Sequence, residues 1–312
     1  MFWCDNHCDV LYQLWRRVQQ KESTFPNWFT IENSPLDVSL AAMKRNNVVL
    51  QNFAIFVPDI VSYSAMFGAA LKQIDLFYQQ VEPYVPLFHR EMDTSSPRSI
   101  LSLEGGEALG REIENVRILY RLGVRQIGLT WNHANLLADG CMEEHNGGLT
   151  RFGRECVEEM VRLGMVVDVS HLSERSFWDV VEIPGVKLVA SHSNTQAYCE
   201  HPRNLTDEQI KTIIACKGLI CITFVPGFVY RPGKDARLHH LLQHIDHIVH
   251  LGGEQHLAFG SDFDGIETKI PQLETTDDLT SFSQFLLHYF PEKSVTSWCY
   301  TNAYKFYQQV FV

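Results

Sequence analysis

Long hydrophobic runs are missing from this 312-residue chain. Its apolar stretches are short and broken by charge or glycine, well under the roughly 18–20 residues that cross a bilayer, so no membrane span is expected. Basic charge is scarce too: 26 Lys and Arg stand against 37 Asp and Glu, a formal net charge of −11. With no basic stripe the chain has little to offer a phosphate backbone or an anionic lipid surface, and nucleic acid is not an expected partner. No C-x-x-C pair occurs. The eight cysteines lie at irregular places from Cys4 to Cys299, which argues against a disulfide framework and for reduced thiols in a cytoplasmic setting. The opening Met1-Phe2-Trp3-Cys4-Asp5 carries no basic segment, so no secretory leader is expected. No Pro/Gly/Ser linker or low-complexity tract interrupts the chain, and residues 1–312 read as a single domain.

What the sequence does contain is a repeated alternation. Short apolar, often β-branched runs are followed by a polar or glycine-containing turn and then a longer helical pattern. The first run ends near His7-Asp9; others lie at Val48–Phe53, Ile100–Glu104, Ile127–Trp131, Val166–His171, Leu188–His192, Leu219–Phe224 and Leu257–Asp262. Between them, Glu107–Leu122 reads as an amphipathic helix closed by Gly123, and Thr150–Leu163 as another closed by Gly164. Asn204-Leu205-Thr206-Asp207-Glu208 looks like a capped helix start. Eight strand-like runs alternating with helices predict an α/β fold of the (β/α)8 TIM-barrel type. A doubly wound open sheet is the alternative. Against it, no G-x-G-x-x-G or G-x-x-x-x-G-K-[ST] loop follows any run.

Active sites of such barrels stand at the C-terminal ends of the strands. Here those ends are polar and rich in metal-binding side chains. The first closes on Asp5-Asn6-His7-Cys8-Asp9, where His7 and Asp9, two apart on a strand, share a face. The third ends in Glu104, the fifth in Asp168-Val169-Ser170-His171, the sixth in Ser191-His192 and the eighth in Ser261-Asp262-Phe263-Asp264. Five imidazole or carboxylate ligands gathered without a metal would carry a desolvation cost of several kcal/mol per unpaired ion. They exceed what one tetrahedral catalytic zinc needs and suit two ions bridged by a carboxylate and a hydroxide.

The same stretches resemble the membrane (renal) dipeptidase family, dinuclear zinc dipeptidases of the amidohydrolase-type barrels. The resemblance rests on Asp5-Asn6-His7-Cys8-Asp9, Leu103-Glu104-Gly105-Gly106, Leu149-Thr150-Arg151-Phe152-Gly153, the long Arg162–His171 stretch, Ser191-His192-Ser193 with Arg203-Asn204, and Gly260–Gly265, all in family order. It implies that His7 and Asp9 hold one Zn2+, that His171 and His192 hold the other, and that Glu104 bridges them. It further implies Asp262 as the catalytic acid/base and Arg203 as the anchor of the substrate carboxylate, a task that suits the guanidinium fork. The expected activity is metal-dependent hydrolysis of short dipeptides, L,L and also L,D, and the resemblance allows a homodimer. One departure stands out. After the fourth strand Trp131 occupies the register of the histidine that polarises the scissile carbonyl in better-known animal members, and His133, two residues on, becomes the candidate to reach the substrate instead.

Other features point elsewhere. His239-His240-Leu241-Leu242-Gln243-His244-Ile245-Asp246-His247 would align His240, His244 and His247 on one helix face, but it lacks the Glu of an H-E-x-x-H site and reads as an outer helix of the barrel. Cys8 alternates with His7 and Asp9 and should point away from them. Rival functions keep the scaffold and change the chemistry: a hydrolase of N-acyl amino acids, lactones or phosphoesters, a metal-binding relative without turnover, or a barrel with no metal at all.

Overall fold

The structure, a computed structural model, describes residues 1–20, 27–89 and 96–311. Among these residues eight strands form the central sheet: β1 (Trp3–Cys8), β2 (Val48–Phe56), β3 (Arg98–Glu104), β4 (Val124–Gly128), β5 (Val166–Asp168), β6 (Leu188–Ala190), β7 (Leu219–Ile222) and β8 (Leu257–Phe259). They close in sequence order into a barrel, every neighbouring pair parallel, with Asp5 of β1 opposite Phe259 of β8 at the seam. Parallel neighbours require a crossover, and each crossover lays an amphipathic helix against the outside. Helix Arg151–Leu163 shows how the sequence specifies one. Thr150 caps it by accepting the Gly153 N–H, Cys156, Val157 and Met160 turn inward, and Gly164 ends it at φ +74°. A cap of this kind contributes about 1 kcal/mol.

The C-terminal helix Asn302–Val310 buries Ala303, Tyr304, Tyr307 and Val310 in one cluster with Cys4, Leu50, Ile100, Val166, Val189, Leu219 and Cys221, residues near the strand starts. Its Tyr307 hydroxyl donates to Gln126 Oε1 at 3.2 Å. Gln126 Nε2 in turn donates to Asp168 Oδ2 at 3.1 Å. That end of the barrel is therefore filled, and the opposite end, where the strands finish, carries the site.

Two expectations shift. The segment expected to be helical from Glu107 to Leu122 is instead a 3-10 turn, Gly106–Leu109, followed by helix Glu114–Arg121. The break falls at Gly110, whose φ +61°, ψ −135° is open to glycine alone. The ladders of β4, β5, β6 and β8 also stop earlier than the apolar runs, at Gly128, Asp168, Ala190 and Phe259. Beyond them the chain turns away; His171 and Asp262 stand at φ +69° and +65°. Strained backbone of this sort costs on the order of 1–3 kcal/mol per residue and gathers at functional sites.

Candidate metal centre

The strand ends bring His7, Asp9, Glu104, His171, His192 and Asp262 together. His7, Glu104 and His192 offer ligand atoms all within 4.8 Å of one another, and so do His7, Asp9 and Asp262. Glu104, at the end of β3, faces both sides with separate oxygens. Its Oε2 lies 3.4 Å from His7 Nε2, while its Oε1 lies 3.0 Å from His171 Nε2 and 3.4 Å from His192 Nε2. Asp9 Oδ2 and Asp262 Oδ1 approach His7 Nε2 at 3.6 and 3.8 Å.

Polar networks below hold these groups in place. Asp5 accepts from the Ser261 N–H, the Ser261 hydroxyl and Gln51 Nε2, tying β1 to the segment that carries Asp262. Asp168 Oδ1 accepts the backbone N–H groups of Ser170 and Ser191, tying the His171 turn to the His192 turn. His171 Nδ1 pairs with Asn132 Oδ1 at 2.9 Å and His192 Nδ1 with Ser191 Oγ at 2.7 Å.

Burial is the dominant force on every ionisable group here. It works to lower the His7 pKa, but the Glu104 and Asp9 carboxylates carry it well above the ordinary imidazole value. Burial, with Arg203 nearby, brings His171 down to about 4; burial, His7 and Arg203 hold His192 well below the imidazole range. Glu104 is buried, yet His7, His171 and His192 bring it well below the usual carboxylate range. Asp262 is pushed by burial up to about 7, with Asp9 and Glu104 adding repulsion and His7 opposing.

The residues fit a metal ion. Both ring nitrogens of His7 and Asp9 Oδ1 are buried without a hydrogen-bond partner, a costly state for polar atoms enclosed by protein. His171 and His192 point their Nε2 atoms at each other, 2.8 Å apart, while their Nδ1 atoms are occupied. That is the arrangement of metal-binding imidazoles, whose outer nitrogen is fixed by a neighbour. The mixed N/O donor set suits zinc and related divalent ions.

Above the cluster lies a cleft of about 190 Å³, lined by Glu104, His171, Arg203 and Asp262 together with Trp131, Phe56, Phe228 and Ile266. Arg203 is buried at 3 % exposure. It donates to Ser193 Oγ and the His192 carbonyl, leaving Nε–H without a partner. A larger cavity of about 680 Å³ adjoins it, and His171, Ser193 and Arg203 line that one too. Trp131 stands in the cleft, packed on Phe56 at 5.2 Å between ring centroids.

The structure does not bring His133 into this cleft. Its side chain is 66 % exposed and paired with Glu143 at 3.3 Å, because the chain leaves the barrel after Asn132. Cys8 points into the apolar core, away from the ligands. In helix Leu238–His250, His244 is buried, with Nδ1 accepting from Thr195 and Nε2 bonded to the Val229 carbonyl, and His247 pairs with Asp207. Both nitrogens of His244 are thus used for packing the helix. Asn132 lines the cleft without having been anticipated, as do the apolar walls Tyr12, Phe56, Val225, Phe228 and Ile266. Phe228 lies in the short helix Pro226–Val229 after β7, and Asn132 is distinguished in the sequence only by its neighbour Trp131.

The model of the membrane dipeptidase family, peptidase family M19, matches residues 1–311. Among curated proteins, the chain is 32% identical over 227 residues to dipeptidase tcpJ of Claviceps purpurea, covering 69% of this chain and 53% of that protein. It is 30% identical over 293 residues to an uncharacterized dipeptidase of Schizosaccharomyces pombe, covering 84% and 68%. The chain thus spans about half the length of the first and two thirds of the second. Among solved structures, a dipeptidase described as a family M19 metallopeptidase superposes with a TM-score of 0.90 at 25% identity, covering 100% of this chain and 99% of that one. A metallopeptidase from Rhodobacter sphaeroides, liganded with a phosphinate mimic of the dipeptide L-Ala-D-Ala, shares the fold with a TM-score of 0.87 at 24% identity, covering 100% and 99%. With the family's model matching residues 1–311 over a metal-competent barrel, the chain belongs to the membrane dipeptidase family, peptidase family M19, a family of metal-dependent hydrolases.

Proposed function

We propose that the chain hydrolyses the peptide bond of free dipeptides, holding two zinc ions with Glu104 between them. In this reading His7 and Asp9 hold one ion, and His171 and His192 hold the other. The observation that carries it is the division of Glu104, one oxygen toward His7 and the other toward the His171–His192 pair. When bound, such ions supply Lewis acidity that makes water a nucleophile near neutral pH and polarises a carbonyl.

The chain's own residues do the rest. Asp262 lines the cleft beside His7 and is placed to take a proton from the attacking water at Oδ1 and deliver it to the leaving amine. Arg203 offers its free Nε–H and the second N–H of each amino group to the substrate's C-terminal carboxylate, which selects dipeptides by their end. Its burial strengthens that selection, because an unpaired buried guanidinium is costly until a carboxylate arrives. Tyr12, Phe56, Trp131, Val225 and Phe228 exclude water around the scissile bond.

All eight cysteines are free, which supports a reducing, cytoplasmic setting, and no helix among the described residues is long and apolar enough to cross a membrane. A homodimer belongs to the reading through the family resemblance and is checked by sedimentation. The deciding experiment incubates zinc-loaded protein with L-Ala-L-Ala, L-Ala-D-Ala, L-Ala-L-Ala-amide and N-acetyl-L-Ala, each with and without chelator. Chelator-sensitive cleavage of the free dipeptides alone is expected. Cleavage of only the acylated substrate moves the function to an N-acyl amino acid hydrolase, and silence with metal bound moves it to a relative without dipeptide turnover.

A further inference from the structure

We infer that Asn132 is a catalytic residue, its side-chain amide N–H donating to the oxygen of the scissile carbonyl as negative charge develops there. The inference rests on the dipeptidase reading above for its substrate. It begins with a vacancy in the donor set. Trp131, in the cleft wall, has an indole packed on Phe56 and leaning toward His171, with ring centroids 6.3 Å apart, and the nearby His133 faces solvent. Neither imidazole nor hydroxyl from this loop reaches the cleft.

Asn132 does, and its amide orientation follows from its partner. His171 directs Nε2 toward Glu104 Oε1 and His192 Nε2, so as a neutral ligand it carries its proton on Nδ1. That N–H donates to Asn132 Oδ1 at 2.9 Å, which fixes the oxygen end on His171 and leaves the Nδ2 pair as the free end. Asn132 lines the same small cleft as Glu104, His171, Arg203 and Asp262. Among the described residues no hydrogen bond uses its Nδ2, whereas the other asparagine of this loop, Asn135, spends its own on Glu107 and the Leu129 carbonyl.

The backbone under Asn132 is rigidly set. Met142 N–H donates to the Asn132 carbonyl at 2.9 Å, and Cys141 N–H donates to the carbonyl of His171 at 2.7 Å. Gly140 packs so closely on Asn132 that a Cβ there would collide with its carbonyl group. A donor held by such contacts needs no reorganisation as the reaction proceeds, the condition under which a single donor changes turnover by about 10²–10³-fold.

Asn132→Asp keeps the oxygen that His171 needs and removes the N–H; Asn132→Ala removes both. With dipeptide as substrate, both variants are expected to lower kcat by about 10²-fold with KM within threefold of the parent. The dissociation constant of a dipeptide phosphinate, read by calorimetry without turnover, should rise by a similar factor, since that ligand carries the anionic oxygen. Asn132→Asp should keep full metal content. Asn132→Ala, reconstituted to full metal, controls for the charge that aspartate adds. Full kcat and phosphinate affinity in Asn132→Asp, with metal lost only in Asn132→Ala, would overturn the inference and leave Asn132 as a positioning residue for His171. Normal affinity in reconstituted Asn132→Ala would overturn it as well. If the parent protein cleaves no dipeptide but its phosphinate affinity still depends on the Asn132 N–H, the donor stands and the substrate reading falls.

Discussion

The two sides of the candidate metal centre are built on different physics. On the β1 and β8 side, His7 faces Asp9, Glu104 and Asp262 and has no hydrogen-bond partner for either ring nitrogen. Charge holds it there. On the β5 and β6 side, His171 and His192 are fixed by Asn132 and Ser191 through their outer nitrogens, and burial keeps both rings neutral. Hydrogen bonds hold them. One side is therefore an electrostatic assembly that needs its full set of charges, and the other is a pair of preset imidazoles. Glu104 joins them, with one oxygen committed to each.

Breaking the joint should have the largest effect. Glu104→Gln leaves His7 among carboxylates without its nearest counter-charge and deprives both sides of a common ligand. Metal content by elemental analysis and product formation should be lost together, and a variant that keeps full metal and full rate would refute the division of Glu104. Asp262→Asn addresses the electrostatic side alone. A fall in kcat of about 10²–10⁴-fold with metal retained is expected of an acid/base. Loss of metal with it would make Asp262 a ligand. Arg203→Ala should raise KM for free-carboxylate dipeptides about 10–10²-fold, the worth of hydrogen bonds to a charged group. Equal losses on dipeptides and their amides would remove that role. Ser191→Ala tests the hydrogen-bonded side: metal affinity should weaken by about 10-fold, the lower end of the range for a ligand's outer partner. An unchanged affinity would mean that packing alone orients His192.

How far the sequence carried these conclusions differs between the two kinds of element. The barrel and the gathering of its polar strand ends were legible because they depend on local regularities. Alternating apolar runs mark the strands, and a polar side chain placed at the end of each run can only fall at one rim. His7, Asp9, Glu104, His171, His192 and Asp262 all meet there. The loop after β4 was not legible in the same way. His133 was expected at the substrate, but its direction depends on how Gly140 and Met142 cross Asn132 from later in the chain, a contact no local pattern records. The break at Gly110 was missed for a related reason: the amphipathic spacing on either side of it is continuous, while the backbone conformation is not.

The smallest expected effect concerns the clasp behind the electrostatic side. Asp264, two residues beyond Asp262, accepts the backbone N–H groups of Asp37 and Val38 at 2.9 and 3.0 Å, binding the β8 loop to the segment before β2. Burial pushes its carboxyl up to about 7, with repulsion from Asp37 adding to the shift against those two donors. The sign follows from proton binding. Between the unfolded carboxyl value of about 4 and the folded value near 7, the folded protein binds more protons, so this group's contribution is complete below about pH 4 and is lost as pH rises through 7. Asp264→Asn cannot ionise and should lack that decline. The variant loses one acceptor at every pH, so its Tm starts lower, but the difference from the parent should narrow by a few °C between pH 5 and about 8. A constant difference would show that the Asp37 and Val38 N–H groups stabilise the Asp264 carboxylate as much as burial penalises it, and the clasp would then be as insensitive to pH as the hydrogen-bonded side.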